Sequence, residues 1–408
     1  MPQTSRTVYR RRRFVLFGGL TVVVVLGAYL PLTLLAPLTS IAPANASYTA
    51  PTSVAPVLSM PGYGASAISA VGFPGVLTQG GSTAPLPIAS ITKIVTSLVV
   101  LDKKPLAAGD AGPQIRFTPA DEAIRKAYLA RNGDVRPVPV GGSMSERDVM
   151  TVTLVASANN YARALVDWAF GSEASFLPVA NSWLAQNGMK STTLTDATGL
   201  NSANRSTPTD LIELGKLALA NPVVGGLINT AHTTVPFVGA IDNTNTLIGT
   251  LGIDGIKTGT LDGAGASLLF SSDYQFAGHT IKLIGVILDG PNHPTIDTQI
   301  KTLIKAVRSG FTSVTLTTAG QRFATYRSAW GPSTQAVATK TRSVVIWAGT
   351  PVTSKITTTP IAIAAKGAIV GSATFTISGE TITVPLALSE KLADPGAWWR
   401  LTNPAKLL

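Results

Sequence analysis

Residues 88–101 have the sequence Ile-Ala-Ser-Ile-Thr-Lys-Ile-Val-Thr-Ser-Leu-Val-Val-Leu, which is apolar on nearly every side of a helix. Charged residues and Pro105 follow directly and end the segment. A helix that is apolar all round is typically buried inside a domain. The segment therefore predicts a buried helix around which a domain of this chain packs.

The sequence on both sides of this helix predicts one mixed α/β domain over residues 57–310. A hairpin is indicated within residues 63–77, where Gly and Pro separate short apolar segments. Further patterns indicate helices over residues 145–155, 161–170, 209–220 and 295–306, and strands over residues 266–271 and 281–288. Strands bracketed by helices in this way are typical of one mixed α/β domain.

Residues 311–408 have a different pattern, because apolar and polar residues alternate there with a period of two. Such alternation, interrupted by turns, predicts a small all-β domain at the C-terminus. Residues 301–408 hold twelve basic and three acidic residues, a net charge of +9 that is most of the chain's net charge of +11. Binding to an anionic wall polymer or to lipid headgroups is one explanation, and a basic surface that maintains solubility is the other.

The N-terminus predicts export across a membrane. Residues 1–13 contain five Arg and no acidic residue, and residues 14–36 are uncharged and mostly apolar. About 20 helical residues cross the hydrocarbon core of a bilayer, and a basic flank remains in the cytoplasm. We therefore expect the rest of the chain at the extracytoplasmic face of a cell membrane, with residues 37–56 as a linker rich in Pro, Ala, Ser and Thr.

Two interpretations of the N-terminal segment remain open. Its 23 apolar residues are more than the 7–15 of an ordinary signal-peptide core, which favours a retained membrane anchor. Ala44-Asn45-Ala46, however, has the A-x-A pattern of a signal-peptidase site. Cleavage after Ala46 would release the protein as a secreted enzyme or binding protein.

The composition excludes several classes of protein. The 408 residues include no cysteine, which excludes disulfide frameworks, cysteine-ligated zinc and thiol nucleophiles. With 45% hydrophobic and only 13% charged residues, the chain is not of the disordered type. The formal net charge of +11 first suggests a nucleic-acid partner. Residues 14–300 hold 15 basic and 18 acidic residues, however, so we expect no nucleic-acid partner.

The three histidines, His232, His279 and His293, lie outside the H-E-x-x-H pattern of zinc hydrolases. We therefore expect no metal site and no cofactor, and we interpret the histidines as ordinary loop or strand-end residues. The sequence also contains no G-x-S-x-G elbow. A hydrolase built on this chain would have to activate its nucleophile without histidine.

Ser90 and Lys93 are three residues apart and therefore lie on one face of the predicted buried helix. Burial makes a lysine lose its proton more easily, because desolvation disfavours the charged form. A neutral Lys93 can accept the proton of Ser90, so the pair is a complete nucleophile and base. An S-x-x-K spacing also occurs about once by chance in a chain of this length. A capping serine beside a lysine that extends to solvent is therefore the structural alternative.

Two further motifs lie downstream of this pair. Lys257-Thr258-Gly259-Thr260 combines donors for a carboxylate with a glycine that permits close approach of a substrate backbone, although K-T-G alone is compatible with an ordinary turn. Ser157-Ala158-Asn159 is a polar trio between two predicted helices, and Ser202-Ala203-Asn204 repeats its pattern. The second copy lies in a loop rich in Ser, Thr and Asn, whereas flanking helices fix the first. We therefore select Ser157 and Asn159 as candidate site residues.

The order S-x-x-K, S-x-N, K-T-G is the signature of penicillin-binding proteins and serine β-lactamases. With these motifs the chain resembles the D-alanyl-D-alanine carboxypeptidase family of low-molecular-mass penicillin-binding proteins. Residues 87–93, 188–190, 196–200, 243–245 and 252–265 are also similar to that family, and the resemblance covers about residues 57–310. It implies a penicillin-binding-protein or serine β-lactamase-like transpeptidase domain, with a central antiparallel sheet flanked by helices, followed by a small all-β domain.

The resemblance implies a serine-type D-Ala-D-Ala carboxypeptidase. Ser90 would attack the carbonyl between the two terminal D-alanines of a peptidoglycan stem pentapeptide, with Lys93 as base. Ser157 would relay the proton towards the leaving amine, and Asn159 would orient Lys93 and the substrate amide. β-Lactams would acylate the same serine and inhibit the enzyme covalently.

The resemblance also assigns the substrate contacts. Lys257 would supply positive charge to the terminal carboxylate, Thr258 and Thr260 would contact it, and Gly259 belongs to the same substrate-binding segment. Backbone N–H groups of Ser90 and Thr260 would form the oxyanion hole. Many family members carry a C-terminal amphipathic anchor helix, for which residues 398–408 are too short. We therefore expect membrane attachment through the N-terminal segment.

Two alternatives to a carboxypeptidase remain open. A β-lactamase shares the three motifs, but class A enzymes use a further Glu to activate the deacylating water, and no E-x-x-L-N follows Ser157. A non-catalytic β-lactam-binding or wall-binding protein of the same fold is the second alternative, because a fold alone does not establish activity.

Overall fold

The computed structural model describes residues 5–407, which divide into two compact units. One unit consists of residues 54–312, and the other combines residues 5–53 with residues 313–407. The border at residue 312 lies next to the position where the sequence pattern changes from mixed helices and strands to pure alternation.

The α-helices within residues 5–407 are α1 (Ser5–Leu34), α2 (Thr92–Lys103), α3 (Pro119–Leu129), α4 (Glu146–Leu154), α5 (Asn159–Phe170), α6 (Glu173–Gln186), α7 (Pro208–Ala220), α8 (Pro222–Ile228), α9 (His293–Arg308) and α10 (Gly396–Thr402). Short 3-10 helices span Ala89–Ile91, Thr250–Gly252 and Pro404–Lys406.

The strands of the unit formed by residues 54–312 are β2 (Ala65–Ala70), β3 (Thr78–Gly81), β4 (Leu86–Pro87), β5 (Gln114–Arg116), β6 (Ser143–Ser145), β7 (Arg205–Ser206), β8 (His232–Val235), β9 (Gly239–Asp242), β10 (Ile253–Thr260), β11 (Ala266–Phe276) and β12 (His279–Gly290). The remaining strands are β1 (Ala44–Asn45), β13 (Phe311–Thr317), β14 (Arg322–Arg327), β15 (Ser333–Ala338), β16 (Arg342–Trp347), β17 (Val352–Thr358), β18 (Ile369–Ile377) and β19 (Glu380–Leu388).

The unit of residues 54–312 is built on a five-stranded antiparallel sheet with the order β10-β11-β12-β2-β3. Helices α7 and α9 pack against this sheet, and α8 contacts β10. The prediction of a central antiparallel sheet flanked by helices is confirmed. Strand β10 lies at one edge of the sheet, so only one of its sides is paired with a neighbouring strand.

Helix α2 is buried, as its apolar sequence predicts, and it contacts α4, α5, α6, α7 and α8. All residues from Thr92 to Leu101 are buried. The predicted start differs in one respect, because Ala89–Ile91 form a 3-10 turn before the α-helix begins. Ala89 has φ 46°, a left-handed conformation that non-glycine residues adopt only when their surroundings enforce it. The turn holds Ser90 at the N-terminal entrance to α2.

The other unit contains a six-stranded antiparallel sheet with the order β1-β14-β15-β19-β18-β17, as predicted for an all-β domain. Residues 335–348 lie in the region of alternating sequence and belong to two separate strands, β15 and β16. A turn at residues 339–341 separates them, and β16 pairs with β13 outside the large sheet. Residues 41–48 of the predicted linker belong to this unit, because β1 pairs with β14 and Tyr48 packs on Phe375.

Candidate active site

Ser90 and Lys93 meet at the N-terminus of α2. Lys93 Nζ lies 2.7 Å from Ser90 Oγ and donates a hydrogen bond to the backbone carbonyl of Thr198 at 2.8 Å. The Lys93 side chain is completely buried. The lysine is therefore not the solvent-extended residue of the structural alternative, and the two motif side chains form one hydrogen-bonded pair.

The environment of Lys93 lowers its pKa. Burial lowers the pKa to about 7, against the opposing attraction of the Asp134 and Asp196 carboxylates. Desolvation penalises the ammonium more than the neutral amine, which is the cause of this direction. At neutral pH a substantial fraction of Lys93 is therefore an amine with a free lone pair, directed at the serine hydroxyl.

The loop that contains Thr198 is held by Asp196. The Asp196 carboxylate accepts hydrogen bonds from the backbone N–H groups of Thr198 at 2.7 Å, Gly199 at 2.6 Å and Asn201 at 2.6 Å. Three donors on one carboxylate fix the turn and aim the Thr198 carbonyl at Lys93. Gly199 is required here because a Cβ at this position would lie 1.8 Å from the carbonyl oxygen of Ala89. The loop therefore packs directly against the 3-10 turn of the candidate nucleophile.

Ser157 and Asn159 occupy the predicted break between α4 and α5. Both residues are buried, and Ser157 has φ 59°. The Asn159 side-chain amide lies 3.4 Å from Thr198 Oγ1, and the carbonyl of that threonine accepts from Lys93. Val155, at the start of the break, accepts a hydrogen bond from the backbone N–H of Thr244. The break thus connects the surroundings of Lys93 to those of the third motif, Lys257-Thr258-Gly259-Thr260.

The third motif forms the end of edge strand β10, next to the turn that holds Ser90. A Cβ at Gly259 would lie 2.9 Å from the Ile88 carbonyl oxygen and 3.0 Å from the Ala89 Cβ. Only glycine allows the strand to pass this close to the nucleophile turn. The ideal Gly259 Cβ position is 3.5 Å from the backbone nitrogen of Ser90, so strand and turn enclose a narrow space beside the serine.

Lys257 is also buried, with 1% exposure, and its Nζ donates to Thr244 Oγ1 at 3.1 Å and lies 3.3 Å from Thr258 Oγ1. Burial lowers the pKa of Lys257 well below its usual value, and the charge of Lys93 lowers it further, while Asp134 raises it. Two hydroxyl groups are weak partners for a buried ammonium. The group is therefore suited to receive an anion from outside the chain.

The second S-x-N tripeptide has a structural role. Asn204 is fully buried, and its side chain accepts from the backbone N–H of Thr195 at 2.7 Å and donates to Thr92 Oγ1 at 3.0 Å. These bonds tie residues 195–204 to α2. Ser202 is exposed. Asn159 of the first tripeptide contacts Thr198, whereas Asn204 of the second contacts Thr92 and Asp196.

Sequence reasoning missed His293, which it treated as an ordinary loop residue. His293 is the first residue of α9, and its Nε2 lies 2.8 Å from Thr260 Oγ1 in the third motif. The two residues are 33 positions apart, so no local sequence pattern could indicate the contact. Residues 5–407 contain no cluster of three or more His, Asp or Glu side chains that could bind a metal ion.

The Glu173 carboxylate has structural partners in the chain. It accepts from the backbone N–H of Ala197 at 2.8 Å and lies 3.4 Å from an Arg163 guanidinium nitrogen. The carboxylate thereby supports the loop that contains Thr198.

The sequence that contains these motifs is similar to known proteins. A family model described as D-alanyl-D-alanine carboxypeptidase matches residues 74–292, more than half of the chain. A D-alanyl-D-alanine endopeptidase of Pseudomonas aeruginosa is 32% identical over 195 residues, which cover 45% of this chain and 58% of that protein. D-alanyl-D-alanine carboxypeptidase DacC of Escherichia coli is 27% identical over 348 residues, which cover 80% of this chain and 83% of that protein.

Solved structures share the fold. Penicillin binding protein 5 from Haemophilus influenzae superposes with a TM-score of 0.57 at 20% identity, over 85% of this chain and all of that chain. Penicillin binding protein 6B from Escherichia coli gives a TM-score of 0.59 at 19% identity, over 82% of this chain and 96% of that one. At these identities the similarity establishes the fold, and the site must be argued from its own residues.

Proposed function

The chain belongs to the D-alanyl-D-alanine carboxypeptidase family, whose members are serine hydrolases, and on that premise we propose that it removes the terminal D-alanine from peptidoglycan stem peptides. The observation that carries this proposal is the 2.7 Å contact between Ser90 Oγ and the buried amine of Lys93. The site then performs acyl transfer without histidine, metal or cofactor.

Acylation begins when the neutral Lys93 amine accepts the Ser90 proton and Ser90 Oγ bonds to the carbonyl carbon between the two D-alanines. The C–N bond then breaks, and the leaving D-alanine amine receives the proton from Lys93 through Ser157. The lowered pKa of Lys93, about 7, supports its use as a base near neutral pH. Asn159 acts on Lys93 through Thr198, and its amide is the proposed partner of the substrate peptide bond.

The terminal carboxylate of the substrate binds at the end of β10. Lys257 supplies the charge, and the hydroxyls of Thr258 and Thr260 donate hydrogen bonds. The Ser90 and Thr260 backbone N–H groups stabilise the oxyanion, an arrangement supported by the close packing of β10 on the Ser90 turn. Gly259 permits that packing and keeps the substrate backbone close to the strand.

Water completes the reaction by attacking the acyl-enzyme, which restores Ser90 and releases the shortened peptide. β-Lactams acylate the same serine, because their ring amide offers a carbonyl near a carboxylate. A class A β-lactamase mechanism has little support, because Glu173, the acidic residue at the start of α6, already binds Ala197 and Arg163.

The proposal is tested by labelling the full chain with a fluorescent penicillin and by measuring D-alanine release from a pentapeptide. We expect both activities in the wild type and neither in Ser90→Ala. Labelling of Ser90→Ala would contradict the nucleophile assignment. Labelling of the wild type without D-alanine release would favour a binding protein, and rapid penicillin turnover would favour a β-lactamase.

A matched pair of variants tests the second motif. Ser157→Ala removes a buried hydroxyl at the helix break, and Ser202→Ala removes the corresponding hydroxyl of the exposed copy. Loss of a proton relay predicts an acylation rate at least about 100-fold lower for Ser157→Ala, with Ser202→Ala unchanged. The reverse result would show that the wrong tripeptide was selected.

We further propose that the N-terminal segment is a retained anchor. Helix α1 includes a candidate membrane span, Val8–Leu34, in which an 18-residue window has a mean hydropathy of 2.2. The A-x-A sequence forms part of the folded β-unit, since Ala44 and Asn45 pair with β14 and Ala46 donates to the Phe323 carbonyl at 2.8 Å. Cleavage after Ala46 would remove an entire strand from the sheet edge. Retention keeps that edge covered.

The anchor is tested by expressing the full chain in a bacterium and determining its mass and its N-terminus after an alkaline carbonate wash. We expect a species of 42.2 kDa in the membrane pellet. A form in which residues 1–46 are replaced by a cleavable signal peptide provides the soluble reference. A wild-type product that begins at residue 47 and stays in the supernatant would contradict the anchor.

A further inference from the structure

The contact between His293 and Thr260 has no role in the reaction proposed above, although it involves a residue at the carboxylate position. Thr260 is exposed at the end of β10, where its hydroxyl is open to a ligand. His293 Nε2 lies 2.8 Å from that hydroxyl oxygen. The imidazole therefore determines how the single hydroxyl proton of Thr260 is used.

Two arrangements of this hydrogen bond are chemically different. When Nε2 carries a proton, it donates to Thr260 Oγ1, and the hydroxyl proton is free to donate to a substrate carboxylate. When Nε2 is unprotonated, it accepts the hydroxyl proton, and Thr260 then presents only lone pairs to the carboxylate. A carboxylate is repelled by lone pairs, so only the first arrangement supports its binding.

We propose that His293 is a positioning residue that sets the direction of the Thr260 hydroxyl and thereby selects substrates with a free terminal carboxylate. This inference rests on the proposed carboxypeptidase function. Protonation of the imidazole makes both ring nitrogens donors and leaves only the favourable arrangement. Recognition of the carboxylate therefore strengthens as the pH falls through the pKa of His293.

The groups around His293 lower its pKa, so the imidazole becomes protonated only at acidic pH. Burial lowers the pKa of His293 below its usual value of 6.5, and the charge of Lys257 on β10 lowers it further. Asp297, one turn later on α9, raises it. Asp297 itself lies 3.4 Å from Thr246 Oγ1. At pH 8 the imidazole is neutral, and both tautomers are available to it.

The test compares two acylated tripeptides that end in D-Ala-D-Ala, one with a free carboxylate and one with a carboxamide. The quantity measured is the ratio of their kcat/KM values between pH 5.5 and 8. In His293→Ala the Thr260 hydroxyl is no longer oriented towards the carboxylate, so the hydrogen bond between them weakens, and we expect a ratio about three- to tenfold lower at pH 6. His293→Gln keeps a hydrogen-bonding amide but cannot titrate, so we expect a smaller loss and a flatter pH profile of the ratio.

Lys257 also titrates in this site and contributes to the pH profile of the kcat/KM ratio. The difference between the wild-type profile and that of His293→Gln therefore gives the contribution of the histidine. His279→Gln, at an exposed strand end in the same unit, is the matched control and should leave the ratio unchanged. Melting temperatures exclude unfolding as the cause of a loss. Equal losses on both peptides in His293→Ala, or an unaltered pH profile in His293→Gln, would overturn the inference. A wild type that cleaves neither peptide would instead refute the proposed function.

Discussion

Lys93 and Lys257 are both buried lysines of one site, but their ammonium nitrogens have different partners. Lys93 binds a serine hydroxyl and a backbone carbonyl, and two carboxylates, Asp134 and Asp196, partly offset its desolvation. Lys257 binds the hydroxyls of Thr244 and Thr258, is repelled by Lys93 and is attracted by one carboxylate, that of Asp134. Two carboxylates therefore act on the first lysine, whereas the second has one carboxylate and a repelling lysine.

This difference indicates how two identical side chains perform different tasks. A lysine whose pKa is near 7 can exchange a proton with Ser90 during each turnover. A buried lysine that contacts no carboxylate gains most from a ligand that brings a negative charge. Burial alone lowers the pKa of both residues, so the neighbouring groups decide which lysine transfers a proton and which binds a carboxylate.

The largest expected effect follows from removing the base. Lys93→Met keeps the length of the side chain but cannot accept the Ser90 proton. We expect the second-order rate constant for acylation by benzylpenicillin to fall about 10²- to 10⁴-fold. Lys190→Met, at an exposed lysine of the same unit, is the control and should acylate normally. Acylation of Lys93→Met at the wild-type rate would show that another group takes the proton.

Lys257→Met should act on substrate recognition instead. Hydrogen bonds to charged groups contribute about 1.5–3 kcal/mol, so kcat/KM for a peptide with a free carboxylate should fall about 10- to 100-fold. The corresponding carboxamide peptide, which has no negative charge, should be affected much less. If Lys257→Met slowed the cleavage of both peptides equally, Lys257 would not act by binding the substrate carboxylate. The proposed difference between the two lysines would then be wrong.

Asp196→Asn tests the carboxylate that distinguishes the two lysines. The Asp196 charge raises the pKa of Lys93 and therefore favours its protonated form. Neutralising this carboxylate lowers that pKa, so the neutral amine persists to more acidic pH. We expect the acidic limb of the kcat/KM profile to move down by a few tenths to about one pH unit.

Asp210→Asn is the matched control for this shift. Asp210 also accepts a backbone N–H, from Ser191 at 2.9 Å, but it does not contribute to the pKa of Lys93. Both variants should lower the melting temperature, because each weakens a carboxylate that holds a loop. Only Asp196→Asn should move the pH profile, and a shift towards higher pH would contradict the electrostatic assignment.

The sequence predicted the parts of this site that depend on local patterns. The apolar run of α2 and the polar break at Ser157 follow from periodicity, because a buried helix and an interrupted helix each leave a local signature. The choice of Ser157 over Ser202 followed from the flanking helices and stays a prediction, while Asn204 of the second tripeptide ties its loop to α2.

The remaining parts depend on contacts between distant residues. The Thr198 carbonyl reaches Lys93 across 105 positions, and a backbone group has no sequence signature. Helix α6 was not predicted, because Pro178 inside it suggests a break and only the surrounding packing compensates for that cost. Helix α3 was missed for a different reason. It is polar and short, and its one strong signal is the capping box of Thr118 and Asp121.

The smallest expected effect is the number of protons that the enzyme takes up when a peptide binds. This number reports whether Lys257 is protonated in the free enzyme. Burial lowers the pKa of Lys257 in the free enzyme, and a bound carboxylate should raise it again. Binding should then take up protons at any pH at which part of Lys257 is neutral in the free enzyme. We expect calorimetry of Ser90→Ala with a D-Ala-D-Ala peptide, in buffers of different ionisation enthalpy, to show uptake of up to about one proton. The double variant Ser90→Ala, Lys257→Met should show clearly less uptake. Equal uptake in both would assign the proton to a different group, and no uptake in either would mean that Lys257 is already charged before substrate arrives.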